Sequence, residues 1–111
     1  MGSPNPHLSP SNKREELHYI LVAVPGLDHV YFQPSASVTL KYPCIVYKRD
    51  KLEGLYAGNI MYKGSTRYQI TVIDPDPDSP LVDAIFALPK CAHLRNFVAN
   101  GLNHDIFELY Y

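Results

Sequence analysis

Three aspartates at alternate positions are the clearest candidates for a chemical role in the sequence: Asp74, Asp76 and Asp78. A D-x-D-x-D run resembles the opening of a calcium-binding loop, whose sixth position is glycine and whose twelfth is glutamate. Counted from the first aspartate, those two positions hold Ser79 and Ile85. Pro75 and Pro77 separate the carboxylates and favour an extended backbone, whereas a calcium loop wraps tightly around its ion. The run therefore does not predict a calcium site.

The same run fits the start of a helix. Asp78 or Ser79 can accept a backbone hydrogen bond as the N-cap, and Pro80 suits the first helical position. Asp83 then lies in the first turn, where the helix dipole favours a negative charge. In this interpretation, the first two aspartates are solvated residues of a stiff connection between a strand and a helix. We predict a structural role for the run and no metal ligand in it.

The five histidines are scattered along the chain: His7, His18, His29, His93 and His104. No two of them have the spacing of zinc ligands, and the sequence has no C-x-x-C motif. His104 and Asp105 are neighbours on a predicted strand, so their side chains point to opposite faces and cannot act as a pair. Cys91 and His93 would share a face, which leaves a Cys–His nucleophile open, without a signal for an oxyanion hole. We predict no catalytic residue, no metal site and no cofactor.

The length and composition fit one small globular domain. The chain has 111 residues, of which 46% are hydrophobic, enough for a core of its own. The formal net charge of −1 argues against a nucleic-acid-binding surface. Cys44 and Cys91 are too few for a disulfide framework, and we expect both to be reduced, with at least one packed as a small hydrophobe. No apolar run approaches the roughly 20 residues of a membrane span, so we expect a soluble, intracellular protein.

The N-terminal part divides into an arm and a helix. Residues 1–11 form a Pro-rich arm, either disordered or ordered against a neighbouring subunit, because prolines deprive the backbone of hydrogen-bond donors. Residues 12–111 then form a single α+β domain. Its first helix begins at Asn12, which can form a capping box with Glu15, and stops at Pro25. The helix carries one apolar stripe, made of Leu17, Ile20, Leu21 and Val24.

Alternation and turn signals predict five strands and a second helix in the rest of the domain. The strands cover residues 29–33, 42–49, 66–74, 94–99 and 104–111, and the helix covers residues 81–88. In the third strand, Tyr68, Ile70 and Val72 share one face. Asn100-Gly101 predicts a two-residue hairpin turn. The order is α-β-β-(long loop)-β-α-β-β, and the fold class is α+β, a two-layer sandwich of a mostly antiparallel sheet with two helices.

Two features indicate protein contacts. Eight tyrosines lie in or beside predicted strands, where an apolar ring with a polar tip suits an interface: Tyr31, Tyr42, Tyr47, Tyr56, Tyr62, Tyr68, Tyr110 and Tyr111. The sequence also stops within its last predicted strand, and a strand at the edge of a sheet invites pairing with another chain. We expect this last strand to be an exposed edge that pairs with a neighbour in an oligomer. The alternative is that some of the tyrosines fill the core.

The element order and three stretches of sequence resemble the tail terminator proteins and related small neck proteins of long-tailed bacteriophages. The stretches are YPCIVYKRD, RYQITVIDPDPDS and LNHDIFELYY, and the resemblance covers about residues 12–111. It implies a structural virion protein of the tail or neck, assembled in the host cytoplasm, without catalytic residues. It also implies a ring, hexameric in such proteins, that caps the tail tube, stops its polymerisation and joins it to the head connector.

The resemblance further implies partners and an interface. The partners are other copies of the chain, the tail tube protein, a head–tail connector or head-closure protein, and DNA that passes through the ring without sequence-specific binding. The apolar loop from Gly54 to Gly64 would reach a neighbouring ring or the tube, and charged residues beside it would set docking specificity. The implied interface residues are Arg49, Lys51, Glu53, Leu55, Tyr56, Ile60, Met61, Tyr62, Lys63, Tyr110 and Tyr111.

Two alternatives to a tail terminator stay open. The chain is either a different neck protein, for head closure or tail completion, or a small enzyme or metal-binding domain. The enzyme or metal-binding domain would use the aspartates or the pair of Cys91 and His93. A neck protein predicts a ring or association with a tube, whereas an enzyme predicts a monomer or dimer with a pocket.

Overall fold

The helices and strands follow each other in the order predicted from the sequence. The structure is a computed structural model, and it describes residues 10–24, 29–52 and 66–111. Its elements are α1 (Pro10–Val22), β1 (His29–Phe32), β2 (Cys44–Leu52), β3 (Thr66–Asp74), α2 (Pro80–Phe86), β4 (Cys91–Ala99) and β5 (Leu102–Tyr110). The segment between β2 and β3, on which the predicted long loop falls, lies outside the described residues.

The five strands form one sheet in the order β1-β2-β3-β5-β4. β1 pairs with β2 in parallel, and the other three strand pairs are antiparallel. Both helices lie on the same face of the sheet, because their buried residues join one core with residues of a single strand face. The predicted class, an α+β sandwich of two helices on a mostly antiparallel sheet, is confirmed.

The expectation that the last strand is an edge is wrong. The turn at Asn100-Gly101 returns β5 alongside β4, and both turn residues have positive φ, 54° and 74°, as a tight two-residue hairpin requires. On its other side, β5 pairs with β3 from Asn103 to Tyr110. β5 is therefore an interior strand, and the two outermost strands among the described residues are β1 and β4.

The side chains of the central strand β3 alternate between the helix-covered face of the sheet and the opposite face. Tyr68, Ile70 and Val72 share the covered face and are buried, as predicted. Tyr47 of β2 and Phe107 of β5 continue this core on either side and are fully buried. Burial of one such large side chain contributes roughly 1.5–3 kcal/mol. Tyr47 and Tyr68 thus fill the core, so these two tyrosines are not part of an exposed surface.

α1 packs over the β1 side of the covered face. Leu17, Leu21 and Val24 are buried, whereas Ile20, predicted in the same stripe, is 37% exposed at its border. A polar contact adds to this packing, because Nδ1 of His18 lies 2.7 Å from the hydroxyl oxygen of Tyr47. The contact ties α1 to the buried ring of β2.

Side-chain hydrogen bonds to the backbone build the connection from β3 to α2. A carboxylate oxygen of Asp74 accepts the N–H of Asp76 at 2.8 Å, and Asp76 accepts the N–H of Asp78 at 2.9 Å. Ser79 then caps α2 by accepting the N–H of Leu81 at 3.2 Å, which confirms the predicted cap. The expectation that Asp74 is solvated is wrong: it is 8% exposed, because it still belongs to the paired end of β3.

Several element ends differ from the predictions. α1 begins at Pro10, so Asn12 lies inside the helix and is not its cap. α2 ends at Phe86, before the predicted stop at Pro89. β4 begins at Cys91 and is longer than predicted, because its pairing with β5 continues through residues whose sequence does not alternate.

Loss of the α2 cap should destabilise the domain. We expect Ser79→Ala to lower the free energy of unfolding by about 1 kcal/mol, because the N–H of Leu81 loses its acceptor. Urea unfolding measures the change. Ser35→Ala, at an exposed serine outside the helices, is the control and should change the stability little. Equal effects of the two substitutions would contradict the capping role.

Acid should weaken the fold through His18. Burial, and secondarily the charge of Arg14, lower the pKa of His18 in the folded state. The unfolded chain therefore takes up a proton at the ordinary histidine pKa of about 6.5, before the folded chain does. The stability is complete above this pH and falls as the pH drops through it towards the folded-state pKa. We expect His18→Gln to flatten this part of the stability–pH curve measured by urea unfolding, and Ser35→Ala, which removes no titratable group, to leave the slope intact.

Candidate protein-interaction surface

The predicted interface residues that the structure describes lie at one end of the sheet. The register aligns Lys51 of β2, Arg67 of β3 and Tyr110 of β5 across three strands. Arg49 is exposed two positions earlier in β2, and Tyr111 directly follows β5. These residues thus share one end of the sheet, although the register shift places Arg49 and Lys51 on opposite faces of it. The other predicted interface residues lie outside the described part of the chain: Glu53, Leu55, Tyr56, Ile60, Met61, Tyr62 and Lys63.

Tyr110 and Tyr111 line an open groove of about 400 Å³ between α1 and the turn after α2. Leu88 and Leu109 contribute apolar walls to the same groove. The hydroxyl of Tyr111 donates a hydrogen bond to a carboxylate oxygen of Glu16 at 3.0 Å. Burial, followed by the Glu16 carboxylate, raises the pKa of Tyr111, so this hydroxyl remains a donor at neutral pH. The groove is suited to an apolar side chain of a partner.

Arg67 is held by two carboxylates near this end of the sheet. Its Nε lies 3.1 Å from a carboxylate oxygen of Asp50, and its Nη1 lies 3.4 Å from one of Glu108. The contact between Nε and Asp50 has the distance of an ion pair but lacks hydrogen-bond geometry. Asp50 sits where the pairing of β2 with β3 shifts, between Arg49 and Lys51. The charge of Arg67 is balanced locally, so it adds little to a basic docking patch.

The edge strand β4 exposes apolar side chains on both of its faces. Leu94, Phe97 and Val98 are 53%, 43% and 68% exposed, and we call these three residues the β4 edge surface. α2 has only seven residues; it contacts β4 and buries its own Leu81 and Ile85 in the core, but it leaves residues 92–98 of β4 exposed. No described strand pairs with the outer side of β4. The strand therefore presents both backbone hydrogen-bonding groups and apolar area to a partner.

Sequence reasoning missed the β4 edge surface. It predicted only a shorter strand from Leu94 and placed the free edge on the last strand. The signal that was present is the adjacent pair of Phe97 and Val98, whose side chains must point to opposite faces of a strand. Apolar residues on both faces are typical of a strand that is covered on both sides. Here both faces are exposed among the residues that the structure describes, which makes this strand a candidate surface for another molecule.

A histidine–aspartate pair lies beside this surface. Nε2 of His93 in β4 is 3.1 Å from a carboxylate oxygen of Asp105 in β5. His104 lies on the other face, where its ring stacks on Phe97 with the centroids 4.5 Å apart. The prediction that His104 and Asp105 do not act together is confirmed. The true partner of Asp105 comes from the neighbouring strand, which sequence spacing cannot reveal.

The two cysteines are free, and they lie in shielded positions. Cys44 is fully buried, which confirms its prediction as a small hydrophobe, and Cys91 is half-buried. Burial raises the pKa of each thiol to about 11. Both thiols are thus protonated at neutral pH, whereas a cysteine nucleophile needs its thiolate. Among the residues that the structure describes, no group of three or more His, Cys, Asp or Glu side chains is placed to hold a metal ion.

Comparisons with protein-family models, with curated proteins and with solved structures found no match for this chain. In the described ranges, no helix has the length and apolar character to cross a membrane. The candidate surface consists of an edge strand with apolar side chains exposed on both faces and a tyrosine-lined groove at one end of the sheet.

Both thiols should react slowly with alkylating reagents. With each pKa at about 11, we expect Cys44 and Cys91 to react at pH 7 on the order of 100-fold more slowly than an exposed cysteine. Mass spectrometry after timed iodoacetamide treatment measures the rates, and the chain in urea is the control. Fast labelling of Cys91 in the folded protein would contradict this prediction and revive the Cys–His alternative.

Proposed function

We propose that this chain is a structural subunit of the neck or tail of a long-tailed bacteriophage, and specifically a tail terminator. In this role it forms a ring, hexameric in the family it resembles, that ends the tail tube and joins it to the head connector. The observation that carries the proposal is β4, whose outer side pairs with no described strand and whose apolar side chains are exposed on both faces. Such an edge needs a protein partner, and a repeating partner in a ring provides one.

The sequence features and the surface chemistry support this assignment over an enzyme. The order of helices and strands is the one on which the resemblance to tail terminators rests, and the two helices form a layer on the five-stranded sheet. The protonated thiols and the structural aspartate turns provide no nucleophile or metal ligand in the described residues. The described residues instead present three features suited to protein contacts: the β4 edge surface, the groove at Tyr110 and Tyr111, and the exposed Arg49.

Each surface has a role in the proposed assembly. The sheet edges join copies of the chain within the ring. The end of the sheet that carries Arg49, Tyr110 and Tyr111 contacts the tail tube or the head connector, where exposed charge steers docking and the groove takes an apolar side chain. A formal net charge of −1 is compatible with DNA that passes the ring without being bound.

Electron microscopy of particles assembled without this protein tests the proposal. We expect tails longer than normal, because nothing ends tube polymerisation, and few joined heads and tails. Tails of normal length that stay unjoined would assign the chain to head closure or tail completion instead. Complete particles with normal tails would refute a neck function. The same particles with the protein added back are the control and should recover normal tail length.

A further inference from the structure

The two outermost strands of the sheet have directions that allow copies to join edge to edge. β1 runs parallel to β2, and the direction then reverses at each step through β3, β5 and β4. β4 therefore runs opposite to β1. When two copies are placed side by side with their helices on the same face, β4 of one lies antiparallel to β1 of the other, which is the more favourable pairing.

The outward-facing backbone groups of β4 belong to Asn96 and Val98. Ala99 and Leu102 flank the two-residue turn and bond to each other, so Ala99 and Phe97 direct their N–H and C=O groups towards β5. The residues between them, Asn96 and Val98, direct these groups to the free side. Their side chains lie on the helix-covered face, because Asn96 is opposite Asp105 in the register.

The outward-facing backbone groups of β1 belong to Val30 and Phe32. The N–H of Gln33 donates to the carbonyl of Tyr47 in β2 at 2.9 Å, so alternate residues such as Tyr31 also bond towards β2. Val30 and Phe32 pack against the core and thus lie on the helix-covered face as well. On both edges, the residues with free backbone groups therefore have their side chains on the helix-covered face. This match is what the joining of two edges into one continuous sheet requires.

The two edges are also similar in length. β1 has four residues. β4 has nine, but its pairing with β5 shifts between His93 and Arg95, and the regular edge up to the turn runs over the five residues from Arg95 to Ala99. The regular part of β4 is thus long enough to pair with the whole of β1.

We propose that β4 of one copy pairs antiparallel with β1 of a second copy, with Val98 opposite Val30. This register also sets Phe97 opposite Tyr31 on the face opposite the helices. Phe97 already stacks on His104 at 4.5 Å, and Tyr31 stacks on His29 at 6.3 Å. The pairing joins these two stacks into one aromatic row, and aromatic pairs across strands are stabilising. The most exposed apolar residue of the β4 edge surface, Val98, is covered at the same time.

This inference deepens the proposed function and rests on it, because the contact uses a different edge from each partner. Contacts of this kind repeat from copy to copy and close into a ring when the rotation allows. A four-residue pairing is only about 13 Å long and by itself is smaller than a standard stable interface of roughly 800 Å² per partner. The ring therefore needs high concentration, or further contacts with the tube, to accumulate.

Cysteine cross-linking between two single variants tests the pairing. A chain with Val98→Cys is mixed with a chain with Val30→Cys and oxidised at the highest attainable concentration, because opposite residues of adjacent strands lie within disulfide reach. We expect a disulfide-linked species of twice the chain mass of 12.6 kDa in the mixture and little in either variant alone. Val98→Cys mixed with Val38→Cys, whose side chain is also exposed, is the control and should give at least tenfold less.

A second variant checks the backbone contribution. Val98→Pro removes an N–H that points to the free side, so we expect at least a tenfold weaker self-association by analytical ultracentrifugation, with a melting temperature close to that of Val98→Ala. Equal self-association of the two variants would overturn the pairing, and so would efficient cross-linking of Val98→Cys with itself.

The outcomes separate this inference from the proposed function. Overlong tails without the protein, together with no cross-link between positions 30 and 98 in a chain that self-associates, would refute the pairing and leave the terminator role. A chain that remains a monomer at the highest concentration and with tail tubes added would refute both.

Discussion

The structure depends on the alternation of β3, the central strand. Because Tyr68, Ile70 and Val72 point to one face, every strand that pairs with β3 must turn its own apolar set to the same face. The side chains of β2 and β5 follow this register, and both helices dock where the resulting apolar surface is widest. A shift of β3 by one residue would expose this set to water. The faces of the whole domain, including the exposed strand β4, are thus fixed by one strand.

The helix layer is smaller than the sheet that it covers. α1 lies over the β1 side of the sheet. α2 has only seven residues: it begins directly after the turn of aspartates and ends at Phe86. The core closes over β2, β3 and β5, whereas β4 reaches its border at Cys91 and is exposed from residue 92 to residue 98. Because the helix layer is small, it leaves most of β4 exposed, and this exposed strand is a surface through which the domain can contact another protein.

Features governed by neighbouring residues could be predicted from the sequence. The alternation of β3, the Ser79 cap and the turn at Asn100-Gly101 each depend on a few adjacent residues, and all three are confirmed. Features governed by pairing between distant segments could not be predicted. The interior place of β5, the contact of His93 with Asp105 and the exposure of β4 all follow from which strand lies beside which. The free edge was consequently expected on β5 and not on β4, whereas the predicted Tyr110 and Tyr111 do line a groove.

The shift in pairing between His93 and Arg95 has a consequence for the behaviour of the chain at high concentration. A free, flat and apolar strand is a template for fibre growth, in which segments of about six or seven residues stack on one another. The shift interrupts the edge and leaves five regular residues, of which the first, Arg95, carries a positive charge. An edge of this length can recognise a short complementary strand, yet it is too short to serve as the seed of an open-ended stack.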